Sequence, residues 1–176
     1  MKFPHWRSVH TIVFDFDGIF TDNKVWVDEN GKESVRCDRS DGLALDLLRR
    51  FTKEKKWNLT CLILSTEKNP VVSSRAKKLQ ILCVQGNSNK AAYLKSYLAI
   101  NKYDCGGLVY LGNDLNDLSA IQLAGFSVVP CDAHPLIRQQ ANVVLPQKGG
   151  EGFVREFVEE LLCIKKLSID EIINLF

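Results

Sequence analysis

The stretch Thr11-Ile12-Val13-Phe14-Asp15-Phe16-Asp17-Gly18 constrains this chain more than any other, because an apolar run ends on two carboxylates two residues apart and then a glycine. Ile12, Val13 and Phe14 follow one another without polar alternation, the mark of a strand covered on both faces. Strand geometry then sets Asp15 and Asp17 on the same side of the strand's end. Two neighbouring acids repel unless a cation or a shared proton relieves them, so the pair implies a hard-metal site or a perturbed carboxyl pKa. A single Asp at a strand end often does no more than cap a turn. The pair before a glycine favours chemistry over that reading.

A doubly covered strand needs neighbours and helices on both sides, and the rest of the chain supplies them. Further strands are expected at 59–64, 81–84, 107–111, 126–129 and 142–145. Helices are expected from Asp41-Gly42 onward with Leu43, Leu47, Leu48 and Phe51 on one face, and over 71–79 after the Asn69-Pro70 cap. Others are expected from Lys90 through Tyr93, Leu94, Tyr97 and Leu98, and over 118–124, 153–163 and 169–176. Strands alternating with helices predict an α/β fold with a central parallel sheet, and 176 residues suit one domain spanning 1–176. Residues 24–36 read as a β-hairpin around Asp28-Glu29-Asn30-Gly31, too small to bury both faces, which makes Trp26 a candidate subunit contact. The tail, with Ile172, Ile173, Leu175 and Phe176, either completes the core or docks on a neighbour. Gly149-Gly150-Glu151-Gly152 reads as a flexible loop.

The formal charge is only +2, and the basic run from Arg49 to Lys56 lies on and just after an amphipathic helix, so a solvated face is favoured over a nucleic-acid partner. Six cysteines are scattered without a C-x-x-C pair or a histidine at zinc-ligand spacing, which reads as buried, reduced thiols. Residues 1–7 show no apolar leader, and no apolar segment reaches membrane-spanning length. A soluble, cytoplasmic protein is the expectation.

In parallel α/β sheets ligands bind beyond the carboxyl ends of the strands. The polar clusters of this chain fall there. Ser65-Thr66 stands between a strand end and a helix start, where a phosphate can be held, although the pair could simply cap the turn. Lys90 opens a helix, where a cation opposes the macrodipole, so an anion is expected nearby. Gly112-Asn113-Asp114 and Asp117 follow another strand. His134 beside Pro135 reads as structural before it reads as a substrate contact.

Taken together, Asp15-x-Asp17-Gly18, Ser65, Lys90 and Gly112-Asn113-Asp114 with Asp117 resemble the haloacid dehalogenase (HAD) superfamily of phosphatases across essentially the whole chain. The hairpin where a cap domain would stand, Gln85-Gly86, Asp132-Ala133-His134-Pro135 and the glycine loop are similar to its capless branch. That branch includes the 3-deoxy-D-manno-octulosonate 8-phosphate and 2-keto-3-deoxynononate 9-phosphate phosphatases. The resemblance implies a three-layer Rossmann-like fold with a hairpin flap and no cap domain. It implies Asp15 as nucleophile, Asp17 as general acid and base, and Gly18, Ser65, Thr66 and Lys90 around the phosphate. Mg²⁺ would be held by Asp15, Asp17, Asn113 and Asp114. The family usually carries Asp where Asn113 stands, so either the amide oxygen or Asp114 serves. Ser65-Thr66-Glu67-Lys68 and Glu151 look like the nononate type, with Glu67, Lys68 and Arg75 as candidates for recognising a phosphorylated sugar acid. The branch further implies a homotetramer. Two alternatives stay open: an octulosonate 8-phosphate or other small-ester phosphatase, and a non-catalytic module assisting an acylneuraminate cytidylyltransferase.

Overall fold

The computed structural model describes residues 3–175, so the expected contribution of Phe176 lies outside the described residues. The sheet is built around β1 (Thr11–Phe14), all four of whose residues are buried. β4 (Thr60–Leu64) and β6 (Leu108–Leu111) pair with it in parallel, Thr11 standing in register with Thr60 on one side and Leu108 on the other. With β5 (Leu82–Val84), β7 (Phe126–Pro130) and β8 (Val143–Leu145) the order is β5-β4-β1-β6-β7-β8, every pairing parallel.

Alternation along β1 divides the interior into two cores. Ile12 and Phe14 join the one that holds Leu48 and Phe51 of α1 (Arg39–Glu54), Val72 and Ala76 of α2 (Pro70–Leu79), and Phe157 of α6 (Phe153–Leu161). Val13 points the other way, into Leu94 and Leu98 of α3 (Lys90–Asn101), Ile121 of α4 (Leu118–Leu123) and Ile137 of α5 (Pro135–Gln140). The expected layers are therefore present, with helices on both faces of a parallel sheet and no cap domain.

The hairpin stands where the sequence placed it, β2 (Trp26–Val27) pairing antiparallel with β3 (Glu33–Ser34). Its turn is knitted by Asp28, whose Oδ1 accepts from the Asn30 and Lys32 amides at 2.9 Å. Val25, Trp26 and Val27 are 52%, 59% and 60% exposed, so both faces of the flap are open and not the Trp26 face alone. Among the described residues no helix is long and apolar enough to cross a membrane.

Four expectations need correction. α1 begins at Arg39, because Asp38 Oδ1 already accepts from the Ser40 amide at 2.7 Å; Asp41 and Gly42 lie inside the helix. Residues 135–140 form a short helix, α5, whose first turn is capped by His134: Nδ1 accepts from the Leu136 amide at 3.2 Å. Of the six free cysteines, Cys105 and Cys163 are exposed and the other four are half-buried residues, although the Cys61 thiol itself is buried enough to be pushed up to about 12. Gly149 and Gly150 are buried, packed against the turn that follows β1, so the glycine loop is a fitted segment.

Asp41 explains how α6 starts. Gly152, the N-cap of α6, offers no side-chain cap, and the fully buried Asp41 carboxylate of α1 accepts from the Arg155 amide at 2.9 Å instead. A negative group is well placed at a helix N-terminus. Burial nonetheless pushes the Asp41 carboxyl from 3.8 up to about 7, against the pull of the Arg155 amide. Between those values the folded chain holds a proton that the unfolded chain has released, so this group's contribution to stability declines as pH rises. Asp41→Asn removes that titration. The melting temperature of the variant relative to wild type is expected to rise from pH 5 to pH 8 in calorimetric scans, and a difference that stays flat would refute the raised carboxyl.

Candidate active site

β1 ends at Phe14, and the chain turns over at once: the Phe20 and Ile19 amides both donate to the Phe16 carbonyl, at 2.9 and 3.3 Å. Asp15 stays tied to the sheet through its amide, which donates to the Leu111 carbonyl at 2.8 Å. Asp15 and Asp17 thus sit on a turn and not on a strand, yet both line one cavity of about 300 Å³ together with Asn23, Thr66, Asn113 and Asp114. The turn needs Gly18 twice over: its φ is +76°, and a Cβ there would collide with the Asn113 side-chain amide. Thr21 finishes the turn, its Oγ1 accepting from the Gly18 and Asn23 amides at 3.2 Å and lying 3.4 Å from Asp17 Oδ1.

Lys90 enters from the first residue of α3 and is 1% exposed. Its Nζ donates to Asp15 Oδ1 at 2.8 Å and to Asp117 Oδ1 at 2.6 Å. The anion that its position called for is therefore at least partly the protein's own. Asp117 is saturated. Tyr110 Oη donates to Oδ1 at 2.6 Å, while the Asn113 and Asp114 amides donate to Oδ2 at 2.9 and 3.3 Å. One carboxylate thereby fixes both the lysine and the loop that follows β6.

A single ammonium between two buried carboxylates cannot satisfy both. Burial, followed by the Asp117 charge, pushes the Asp15 carboxyl from 3.8 up to about 7 in spite of Lys90. Burial by itself would lower Lys90, but Asp15 and Asp117 outweigh it and the ammonium is held more tightly than usual. The Asp17 carboxyl is raised by burial and by the charge of Glu67, with the Thr21 hydroxyl opposing.

The cavity has the donor set for a hard cation. Asn113 Oδ1 is buried without a hydrogen-bond partner, and the Asp15, Asp17 and Asp114 oxygens share its cavity. No three His, Cys, Asp or Glu side chains converge on a metal position among the described residues. A cation here would accordingly rely on amide and main-chain oxygens as well as carboxylates.

The remaining predicted residues divide. Ser65 is buried at the end of β4, its Oγ accepting from the Glu67 amide at 3.0 Å, which leaves its O–H free to donate. Thr66 lines the cavity, 3.5 Å from Asn116 Nδ2. Glu67, Lys68 and Arg75 are not in the cavity wall. Glu67 Oε1 accepts from the Lys68 and Asn69 amides at 2.6 and 2.8 Å, shaping the entry to α2. Arg75 is turned away beneath α1, where Nη2 donates to the Asp38 carbonyl at 2.8 Å.

Residues 10–157 match the haloacid dehalogenase-like hydrolase family. The chain belongs to that family. It is 29% identical over 166 residues to the 3-deoxy-D-manno-octulosonate 8-phosphate phosphatase KdsC of Salmonella typhi, covering 94% of this chain and 85% of the relative. Among solved structures, a putative HAD family hydrolase from Streptomyces avermitilis superposes with a TM-score of 0.85 at 37% identity, covering 95% of this chain and 94% of its own. The octulosonate 8-phosphate phosphatase of Moraxella catarrhalis, in complex with magnesium, phosphate and KDO, gives 0.81 at 27% identity, covering 90% and 88%. The expected enzyme class, a phosphoric monoester hydrolase, is borne out by these relatives.

Sequence reasoning noted Asp117 but gave it no role, and it passed over Tyr110, Thr21 and Asn23. Asp117 was recoverable, since its spacing from Gly112 is that of a short turn. Tyr110 gave no signal, because an aromatic in an apolar strand reads as core. Replacing Lys90 by Met strands Asp15 and Asp117 without their shared cation, and a loss of about 3–5 kcal/mol is expected. The deficit should shrink at pH 5, where a carboxyl can take up a proton; urea titrations at pH 5 and pH 7.5 measure both, and equal deficits would contradict the shared-cation arrangement.

Proposed function

We propose that this chain is a Mg²⁺-dependent phosphatase that hydrolyses the phosphate monoester of a 2-keto-3-deoxy sugar acid through an aspartyl-phosphate intermediate. The observation that carries the reading is the buried Lys90 ammonium 2.8 Å from Asp15, a carboxyl that lines one cavity with Asp17. Asp15 supplies the nucleophile: the carboxylate oxygen not engaged by Lys90 attacks phosphorus in line with the leaving oxygen, and hydrolysis is split into two easier displacements. Asp17, whose carboxyl burial raises above the usual range, gives its proton to the departing sugar oxygen and then takes one from the water that attacks the acyl phosphate. Expulsion of phosphate restores the Asp15 carboxylate.

Lys90 neutralises charge on the transferring group, while the free O–H of Ser65 and the Thr66 hydroxyl donate to its oxygens; the Gly18 amide, given to Thr21 Oγ1, shapes the turn beside them. Asp15, the Asp17 carbonyl, and Asn113 Oδ1 or Asp114 would hold Mg²⁺, whose positive charge keeps Asp15 ionised and lets an anionic ester approach. Holding the Lys90 head between Asp15 and Asp117 removes the freedom that would otherwise have to be frozen at each turnover.

The substrate is read as a nononate 9-phosphate, on Ser65-Thr66-Glu67-Lys68 and on Glu151, which lies 3.5 Å from Arg36 at the base of the flap. A second reading, octulosonate 8-phosphate, is favoured by the relatives that carry that name. Glu67 and Lys68, next to Thr66, are the closer candidates for sugar contacts, and Arg75 would act only through the seat of α1. The chain 1–176 works as one unit in the cytoplasm, as a homotetramer whose neighbours cover the open flap.

Turnover of p-nitrophenyl phosphate is expected, lost on chelation of divalent ions, and reduced by at least about a thousandfold in Asp15→Asn. Protein that is folded and inert towards every ester would favour the supporting module for a cytidylyltransferase. A panel of phosphorylated 2-keto-3-deoxy acids decides the substrate, the nononate ester being expected to give the highest kcat/KM. Asn113→Asp adds a carboxylate to the cation's donors and should tighten Mg²⁺ binding in calorimetric titration; unchanged affinity would exclude a ligand role at 113.

A further inference from the structure

Next to the catalytic cavity lies a second hollow of about 290 Å³, and Asn23 and Asn113 stand in the walls of both. Its other walls are Gly18, Asp22, Lys24 and Asp132. Most of its charge is already committed. Asp22 Oδ2 is 3.0 Å from Arg36 Nη2, and its Oδ1 accepts from the Lys24 amide at 3.3 Å. Asp132 Oδ1 accepts from the Gly149 amide at 3.1 Å, which leaves its Oδ2 as an acceptor. The Lys24 ammonium makes no ion pair among the described residues.

The direction in which a leaving group departs links this hollow to the reaction. The proton donor, Asp17, must touch the leaving oxygen, so the rest of the leaving group begins on the Asp17 side of the cavity. On that side stand Glu67, whose charge raises the Asp17 carboxyl, and Thr21, whose Oγ1 lies 3.4 Å from Asp17 Oδ1 and accepts from the Asn23 amide at 3.2 Å. A leaving group that departs along Thr21 passes Asn23, which lines both hollows, towards Lys24, which lines the second. What it finds is one uncommitted ammonium and one free carboxylate oxygen, partners for an organic anion that also carries hydroxyl groups. A neutral leaving group would gain nothing from Lys24.

We propose that this second hollow is the leaving-group subsite, in which Lys24 pairs with the carboxylate of a hydroxylated acid and Asp132 accepts from one of its hydroxyls. The assignment rests on the phosphatase reading and deepens it, since it makes the carboxylate of the substrate a recognised group.

The test compares two esters, the best phosphorylated 2-keto-3-deoxy acid of the panel and sorbitol 6-phosphate, which has no carboxylate. Lys24→Gln is expected to lower the ratio of their kcat/KM values about tenfold, mainly through KM for the acid, the size of one partly exposed charge-assisted contact. Lys24→Arg should keep the ratio, and competitive inhibition by the free acid should weaken in Lys24→Gln and not in Lys24→Arg. Wild-type protein that turns over the panel while Lys24→Gln leaves the ratio unmoved, or loses both esters equally, overturns this assignment and spares the phosphatase reading. Wild-type protein that hydrolyses neither ester overturns both.

Discussion

Lys90 stands 2.8 Å from Asp15 and 2.6 Å from Asp117, three charged groups that are 1%, 4% and 0% exposed. Taking ions out of water is costly, and an arrangement with more carboxylates than cations survives only where further donors compensate. Here they come from Tyr110 and from two main-chain amides of the loop after β6. The cluster therefore joins β1, β6 and α3 at the carboxyl edge of the sheet, each contributing a group that the others need. It also stores a demand. Asp15 keeps a carboxyl raised to about 7 in spite of Lys90, so the pocket is short of positive charge, as the proposed binding of a cation and a phosphate requires.

Backbone contacts do the rest of the positioning. The turn carrying Asp17 is pressed between two surfaces, the Asn113 amide over Gly18 on one side and the glycine loop on the other. Gly150 donates its amide to the Ile19 carbonyl at 3.0 Å, and a Cβ on Gly149 would overlap the Gly18 carbonyl. Asp41 extends this support by capping α6, the helix that the loop feeds. Support of that kind comes from elements far apart in the chain, and it holds Asp17 at a fixed height beside Asp15.

Much of this was legible in the sequence, for physical reasons that can be named. The unbroken apolar run of β1 is dictated by helices on both faces, and Asn69-Pro70 announces α2 because Asn69 Oδ1 accepts from the Val71 amide at 3.0 Å. His134-Pro135 is the same signal with a ring nitrogen in place of an amide oxygen, and it announces α5 equally well once read that way. What the sequence hides is direction and long-range capping. Arg75 sits on the helix that follows the Ser65-Thr66 turn, so proximity along the chain suggested the site, but its position on α2 aims it beneath α1. Asp38 and Asp41 are both plausible caps for α1. Only the fold reveals that Asp38 has that role, and that Asp41 caps a helix more than a hundred residues away.

The neutral side chain at 113 follows from the same electrostatics. Asp15, Asp17, Asp114 and Asp117 surround the cavity or its floor, and among the described residues the ammonium paired with them is that of Lys90. A fifth carboxylate against Gly18 would push the Asp15 and Asp17 carboxyls higher still, because like charges at short range disfavour ionisation. An amide offers an oxygen without adding to that repulsion, and Asn113 Oδ1 is left without a hydrogen-bond partner. The amide nitrogen, packed over the Gly18 Cα, keeps the oxygen from swinging away. Under the proposed mechanism, asparagine at this position therefore exchanges some attraction for a cation against an Asp15 carboxyl that ionises more readily when the cation is absent.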